Sequence, residues 1–514
     1  MDSVILTGDT LTISDLINVA CCGKEVKLSE QARSAILHGR QMVERHLEKG
    51  LPAYGVNTGF GALCDTSVSA DTLRDLQQNI VRSHAAGVGE YFSAEIVRAA
   101  MLLRANSLCR GESGVRPIVV ETLVRLLNHN IIPAVHSQGS LGASGDLALL
   151  ADLALVLIGE GSAWVGGELI SGVEALKMFD ITPLALEAKE GLALLNGTAF
   201  MTAIGILAWQ KAWRLLVAQN TAAALSLAAF QGNTAAYDPA VIEARPHAGA
   251  ISVGSHLRTL IEGCTLLNSG NQTKIQDPYS FRCAPQVHGT VLDALQHVKA
   301  TLEIEANSTT DNPLIIGDRV ISGGNFHGQP VGAVLDYLSV AMTSMVAMSE
   351  RRVNQLLHPA YSGLPAFIIP DPGVNSGFMI AQYTAASLVN ENRVLATPAS
   401  VQSVPVSADQ EDHISMATFA ANKANKLMDN SAAIIAVEIL SAAQAIDLRL
   451  DGQDWDPEGM LGANLAQVYN FVREQVPFIR QDSRLSGYIK QMAALIINGD
   501  LEQLLKQQSA DLKI

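Results

Sequence analysis

The chain has 514 residues, a formal net charge of −15, 48% hydrophobic residues and 17% charged residues. The acidic balance argues against a nucleic-acid surface, and the hydrophobicity argues against disorder. So few charges, against a usual ~25%, imply much buried surface, part of it hidden in an oligomer. Six cysteines form no C-x-x-C pair and no zinc-site spacing, which fits a reducing, cytoplasmic setting. Met1 to Val4 lacks the basic stretch of a secretory leader.

Along the chain, Ser3 to Leu11 alternates loosely and predicts a small hairpin. Ser29 to Lys49 carries apolar residues at helical spacing, Ala32, Ile36, Met42 and Val43 among them. Tyr54-Gly55-Val56-Asn57-Thr58-Gly59-Phe60-Gly61 breaks that periodicity with three glycines and predicts an ordered loop. Beyond Glu90 the pattern is helical: Ala94–Ser107, Val115–Asn128, Leu147–Ile158, Phe200–Phe230, Val331–Leu357 and Ser415–Leu448 carry α-type stripes. Most exceed the ~11–12-residue average helix, as in a lengthwise bundle. This predicts a mainly α protein, with an N-terminal domain of short strands and helices over 1–110 and an elongated helical-bundle domain over 111–514. Two uncharged runs, 191–210 and 215–237, exceed the ~18 residues of a membrane span. Their Asn, Gln and Thr residues read instead as interior helices of a soluble bundle, with no membrane partner.

Ser140-Leu141-Gly142-Ala143-Ser144-Gly145-Asp146-Leu147 stands directly before one of these helices. One reading is a Gly/Ser-rich loop with Asp146 as the helix N-cap. The other is chemical. Small residues let the backbone fold back, so that the Gly145 amide nitrogen attacks the Ala143 carbonyl and Ser144 loses water. The product is a methylidene-imidazolone, and glycine at the third position leaves no Cβ in the way. Further polar segments interrupt the apolar chain: Leu195–Thr198, Gln276–Arg282, Asn307–Pro313, Gly323–His327 and Gln410–His413. Each alone reads as capping or turn chemistry; together they point to a polar site.

The ordered set Tyr54–Gly61, Gly142–Leu147, Asn196–Thr198, Gln276–Ser280 and Thr310–Pro313 resembles the family of methylidene-imidazolone (MIO) ammonia-lyases and aminomutases, from about residue 50 to about 450. The resemblance implies a mainly α fold of the fumarase/aspartase-like superfamily and a homotetramer whose active sites combine loops of more than one subunit. It implies a prosthetic group made from Ala143, Ser144 and Gly145, with no metal or diffusible cofactor. Tyr54 matches the family's catalytic base, Arg282 the residue gripping the substrate carboxylate, and Phe326 a ring packed near the prosthetic group. Asn196, Gln276 and Tyr279 match positions around the amino group.

Val81–Gly87, with Ser83-His84, and Glu411 in Gln410–His413 resemble the histidine branch, which eliminates ammonia from L-histidine to give trans-urocanate. A carboxylate suits a hydrogen-bonding imidazole and is badly desolvated against a phenyl ring. Other residues depart from that branch. Leu149 and Asp152 replace the usual Pro and His, Asp409 the usual Asn, and Phe326–Pro330 and Ala381-Gln382-Tyr383 look more like tyrosine aminomutases. Tyr383 thus leaves room for a phenolic substrate. A tyrosine or phenylalanine ammonia-lyase, or a 2,3-aminomutase on the same scaffold, stays open as the alternative. Outside the family stand a fumarase-type lyase with a serine base and a non-catalytic helical scaffold.

Overall fold

The long apolar segments fold as helices close to where their periodicity places them. The computed structural model describes residues 3–50, 53–63, 65–267 and 275–512. The expected helices occupy Glu30–Glu48, Ala94–Cys109, Pro117–Asn128, Leu147–Leu157, Ala199–Phe230, Gln329–Leu357 and Ala417–Leu450. The protein is mainly α, and its strands are short pairs and one antiparallel triplet.

The run 191–210 is not one helix. Glu190–Leu195 ends at Asn196, Gly197 takes φ 155°, and Ala199–Phe230 follows. Gln329–Leu357 and Ala417–Leu450 are long and apolar enough to cross a membrane by length and composition. Yet 61% and 89% of their most apolar stretches are buried inside the protein. The predicted N-terminal hairpin does not form either. Val4–Leu6 pairs in parallel with Val26–Leu28, across the intervening helix Ile13–Cys22. Thr12 accepts from the Asp15 N–H at 3.0 Å and starts that helix before a second strand can turn back.

Two compact units divide the chain: Met1–Leu207, Lys299–Asp336 and Pro398–Asn422 form one, and Ala208–Val298, Tyr337–Thr397 and Lys423–Ile514 the other. This partition differs from a division at residue 110, because the first unit continues past it to Leu207.

In the first unit the helices Leu73–His84, Leu147–Leu157 and Glu190–Leu195 pack against one another. Leu149, Leu150 and Leu153 are wholly buried, each stabilising the fold by about 1.5–3 kcal/mol. This packing collects three helix ends: His84, the turn before Leu147, and Asn196. Val88–Tyr91 pairs antiparallel with His136–Gln138, Tyr91 opposite His136. Buried Asp152 accepts the His136 N–H at 3.1 Å and lies 2.9 Å from its ring Nδ1. The unusual aspartate therefore ties the helix after the Ser140–Asp146 turn to the strand entering it, and that strand pairs with the chain leaving His84.

In the second unit, a Cβ on Gly249 would lie 2.0 Å from the Gly289 carbonyl oxygen, so only glycine permits that helix approach. Glu438, fully buried, accepts from Arg352 Nε (2.5 Å) and Nη2 (2.9 Å), Ser349 (2.5 Å), Ser226 (2.8 Å) and Gln219 (3.2 Å). A buried carboxylate with this many donors is matched in both charge and hydrogen bonding.

Candidate active site

The turn carrying the tripeptide folds back on itself. Gly142 and Gly145 bridge, with φ of 72° at Gly142, 50° at Ser144 and 79° at Gly145. For Ser144, left-handed backbone costs about 1–2 kcal/mol. Gly145 lies directly on Gly197: a Cβ there would sit 2.1 Å from the Gly197 oxygen, which also accepts the Asp146 N–H at 2.8 Å. The positive end of Leu147–Leu157 begins immediately after this turn.

Asp146 occupies the N-cap position of that helix but makes no side-chain cap bond to it. Its carboxylate instead accepts the N–H groups of Phe200 (2.9 Å) and Met201 (3.0 Å), and the Thr418 hydroxyl at 2.6 Å. It caps a different helix, Ala199–Phe230, and so locks the turn to Asn196–Thr198. Burial pushes its pKa up to about 6 against the opposing pull of these hydrogen bonds.

Ser144 Oγ donates to Glu411 Oε1 at 3.1 Å. Glu411 closes a bridge with Val406 around Ser407, Ala408 and Asp409, all left-handed at φ 54°, 52° and 64°. Aspartate, like the asparagine it replaces, tolerates that region better than most residues, and nothing in the structure explains the replacement at 409. Ser83, His84, Ser140, Ala143, Gly145 and Glu411 line a cavity of about 260 Å³. Ser83 Oγ lies 3.0 Å from His84 Nδ1. Burial lowers the His84 pKa from its ordinary value, opposed by the Ile80 carbonyl and by Glu411, so the imidazole is neutral at pH 7.

Asn196 is buried, and its Oδ1 has no hydrogen-bond partner among the described residues. Tyr54 does not line the cavity, but its loop rests on the same supports. A Cβ on Gly55 would meet Leu192 at 2.1 Å, and one on Gly61 would meet Ser407 Oγ at 2.7 Å. The Gly61 N–H donates to Tyr54 Oη at 3.2 Å. Phe326 also lies outside the cavity wall. Its turn meets the Glu411 segment through His327, whose Nε2 lies 3.2 Å from the His413 oxygen and whose ring stacks on His413. The turn is anchored by Asn312, which accepts from Ser322 (3.2 Å) and the Gly323 N–H (2.7 Å).

In the second unit, Gln276, Tyr279 and Arg282 share one segment. Tyr279–Arg282 is a single helical turn, Tyr279 is 70% exposed, and the Arg282 guanidinium lies 4.4 Å from the Tyr279 ring centre. The turn is held from behind. Arg352 Nη1 donates to the Ser280 carbonyl at 2.8 Å, Tyr237 Oη to the Phe281 carbonyl at 2.8 Å, and Phe281 stacks on Phe230. Tyr383 stands exposed on the separate helix Met379–Leu395.

Sequence reading passed over several residues that organise these groups: Arg104, Lys189 as the partner of the motif residue Asp311, and Arg352 with Glu438. The available signal was a charge inside an apolar helical stripe, as at Arg104 within Ala94–Ser107 and at Glu438 within Ala417–Leu450.

The model of the aromatic amino acid lyase family matches residues 11–474. The chain belongs to that family. A histidine ammonia-lyase of Caldanaerobacter subterraneus subsp. tengcongensis is 44% identical over 510 residues, 99% of each chain. Among solved structures, tyrosine aminomutase from Streptomyces globisporus aligns with a TM-score of 0.92 and 36% identity over 99% of each chain. Histidine ammonia-lyase from Trypanosoma cruzi aligns at 0.90 and 35%, over 100% of this chain and 98% of that one. Family membership makes the protein a carbon–nitrogen lyase of the class that its motifs resemble.

Proposed function

We propose that this lyase is a histidine ammonia-lyase, converting L-histidine to trans-urocanate and ammonia. The observation carrying this reading is the Ser144–Glu411 hydrogen bond, at 3.1 Å, with Glu411 and His84 lining one cavity. A carboxylate and a neutral imidazole beside the tripeptide suit a substrate ring that both donates and accepts hydrogen bonds. A phenyl ring would leave Glu411 desolvated without a partner. Full-length relatives named histidine ammonia-lyase support the same choice.

The turn fits an MIO group made from Ala143, Ser144 and Gly145: it folds back at Gly142–Gly145, and Gly145 fills a cradle that a Cβ would obstruct. Such a group supplies an electrophile that takes up the substrate amino group and improves it as a leaving group. Tyr54 is the base for the β-proton, and the Gly61 N–H aimed at its oxygen stabilises negative charge there. Arg282 grips the carboxylate in a planar, bidentate manner. Asn196, Gln276 and Tyr279 orient the amino group, Phe326 packs beside the electrophile, and His84, Glu411 and Tyr383 contact the substrate side chain. No metal or diffusible cofactor enters this scheme.

The proposal includes a cytoplasmic homotetramer with shared active sites. Ile380, Tyr383 and Val394, exposed along one face of Met379–Leu395, suit a covered surface in such an assembly. The test is incubation of purified protein with L-histidine, L-tyrosine and L-phenylalanine separately. Ultraviolet absorbance follows the unsaturated acid, and chromatography detects any β-amino acid. Urocanate from histidine alone is expected; β-tyrosine, or no reaction with histidine, would overturn the reading.

A further inference from the structure

We propose that Arg104 is a positioning residue that holds the backbone anvil against which Ala143, Ser144 and Gly145 close into a ring. The proposal rests on the reading that the ring forms.

Arg104 lies on Ala94–Cys109 and is wholly buried. Its Nη1 donates to the Asn196 carbonyl at 2.7 Å and the Thr310 carbonyl at 3.1 Å. Gly197 sits on this guanidinium: a Cβ there would lie 2.2 Å from Nη1 and 2.4 Å from the Thr310 oxygen. On its other side Gly197 meets Gly145 and accepts the Asp146 N–H. Arg104, Gly197 and Gly145 are thus stacked in sequence, with no side chain between them.

The arrangement is costly. Among the described residues, Arg104 Nε and Nη2 have no acceptor. The nearby carboxylate, Asp311, pairs with buried Lys189 at 2.7 Å, so two cations share one anion. A hydrophobic side chain would fill this interior at lower cost. Both carbonyls are held by the single nitrogen Nη1, and the flat guanidinium leaves room for a glycine against that same atom.

Ring closure needs that rigidity. Gly145 N must bond to the Ala143 carbonyl carbon. The carbonyl oxygen leaves as water with the amide protons of Ser144 and Gly145, and Ser144 loses its hydroxyl and α-proton as a second water. Neither step is a redox change, and both depend on holding Gly145 N close to Ala143 against chain entropy. Gly197, fixed by Arg104, supplies the surface that holds it.

The experiment is mass spectrometry of the proteolytic peptide containing residues 140–147, from folded Arg104→Gln and Arg104→Lys protein isolated by gel filtration. Wild type is expected to lack two waters in this peptide. In Arg104→Gln the dehydrated fraction should fall about tenfold, with an intermediate fraction and slower water loss in Arg104→Lys. Melting must be cooperative in the variant scored, because a merely structural role lowers the melting temperature and leaves the ring fraction intact. If Arg104→Gln does not fold, Arg104→Lys decides. Complete dehydration at the wild-type rate in a folded variant overturns the proposal and leaves the functional reading standing. Two retained waters in active wild type overturn that reading itself.

Discussion

The Ser140–Asp146 turn and the Tyr279–Arg282 turn are both short polar interruptions of apolar helices, yet they are held by opposite means. The first is compressed. Glycine lies on glycine, three residues take positive φ, and the supporting Arg104 is only partly matched by acceptors. The second is held from behind, its carbonyls taken by Arg352 and Tyr237, with Glu438 meeting five donors behind Arg352. The difference follows from the tasks assigned to them. A turn that must react with itself needs its atoms pressed together, whereas a turn that only binds a carboxylate needs a stable mount.

Lesions in the two regions should therefore separate chemistry from stability. Ser144→Ala removes the hydroxyl whose loss completes the electrophile; turnover should fall by at least about a thousandfold, with an unchanged melting temperature. Arg352→Gln should do the reverse. It leaves Glu438 buried without its cation, at about 3–5 kcal/mol of stability, read by denaturant unfolding, while the 140–147 peptide still lacks two waters. A missing ring in folded Arg352→Gln would erase the contrast.

Smaller effects sharpen it within the first unit. Glu411→Gln should lower kcat/KM for histidine about a hundredfold with little change in melting; an equal loss on a phenyl substrate would remove Glu411 from side-chain recognition. Asp146 gives a pH signature. Its folded pKa, about 6, lies above the ordinary 3.8, so the folded state binds this proton more tightly. Its contribution to stability is full below about pH 4 and is lost as pH rises through about 6, at most about 3 kcal/mol in all. Asp146→Asn should remove that slope from the difference between the two unfolding profiles measured from pH 4 to 7.

What was legible in the sequence was whatever is encoded locally. Helices such as Ala94–Cys109 showed in their apolar runs, and the break at Asn196–Thr198 showed in its polar residues. The placing of Asp146 did not, because its partners Phe200 and Met201 begin another helix 54 and 55 residues away. The parallel pairing of Val4–Leu6 was hidden for the same reason: local alternation cannot tell which strand will be the neighbour. Each unit is assembled from three separated stretches, and no linker marks such a division. Arg104 and Glu438 share their helices with other charges, and only the packing gives them their partners. The motif residues themselves were readable, but His84, Ala143 and Glu411 meet in one cavity, with Ser144 bonded to Glu411, only through the packed ends of Leu73–His84 and Leu147–Leu157 and the left-handed Ser407–Asp409 turn.

The central claim is that Ala143, Ser144 and Gly145 become the electrophile in this compressed turn. The mass of the 140–147 peptide from active wild-type protein tests it directly. The account predicts a deficit of two waters that disappears in Ser144→Ala; an undehydrated peptide in protein that turns over histidine would contradict it.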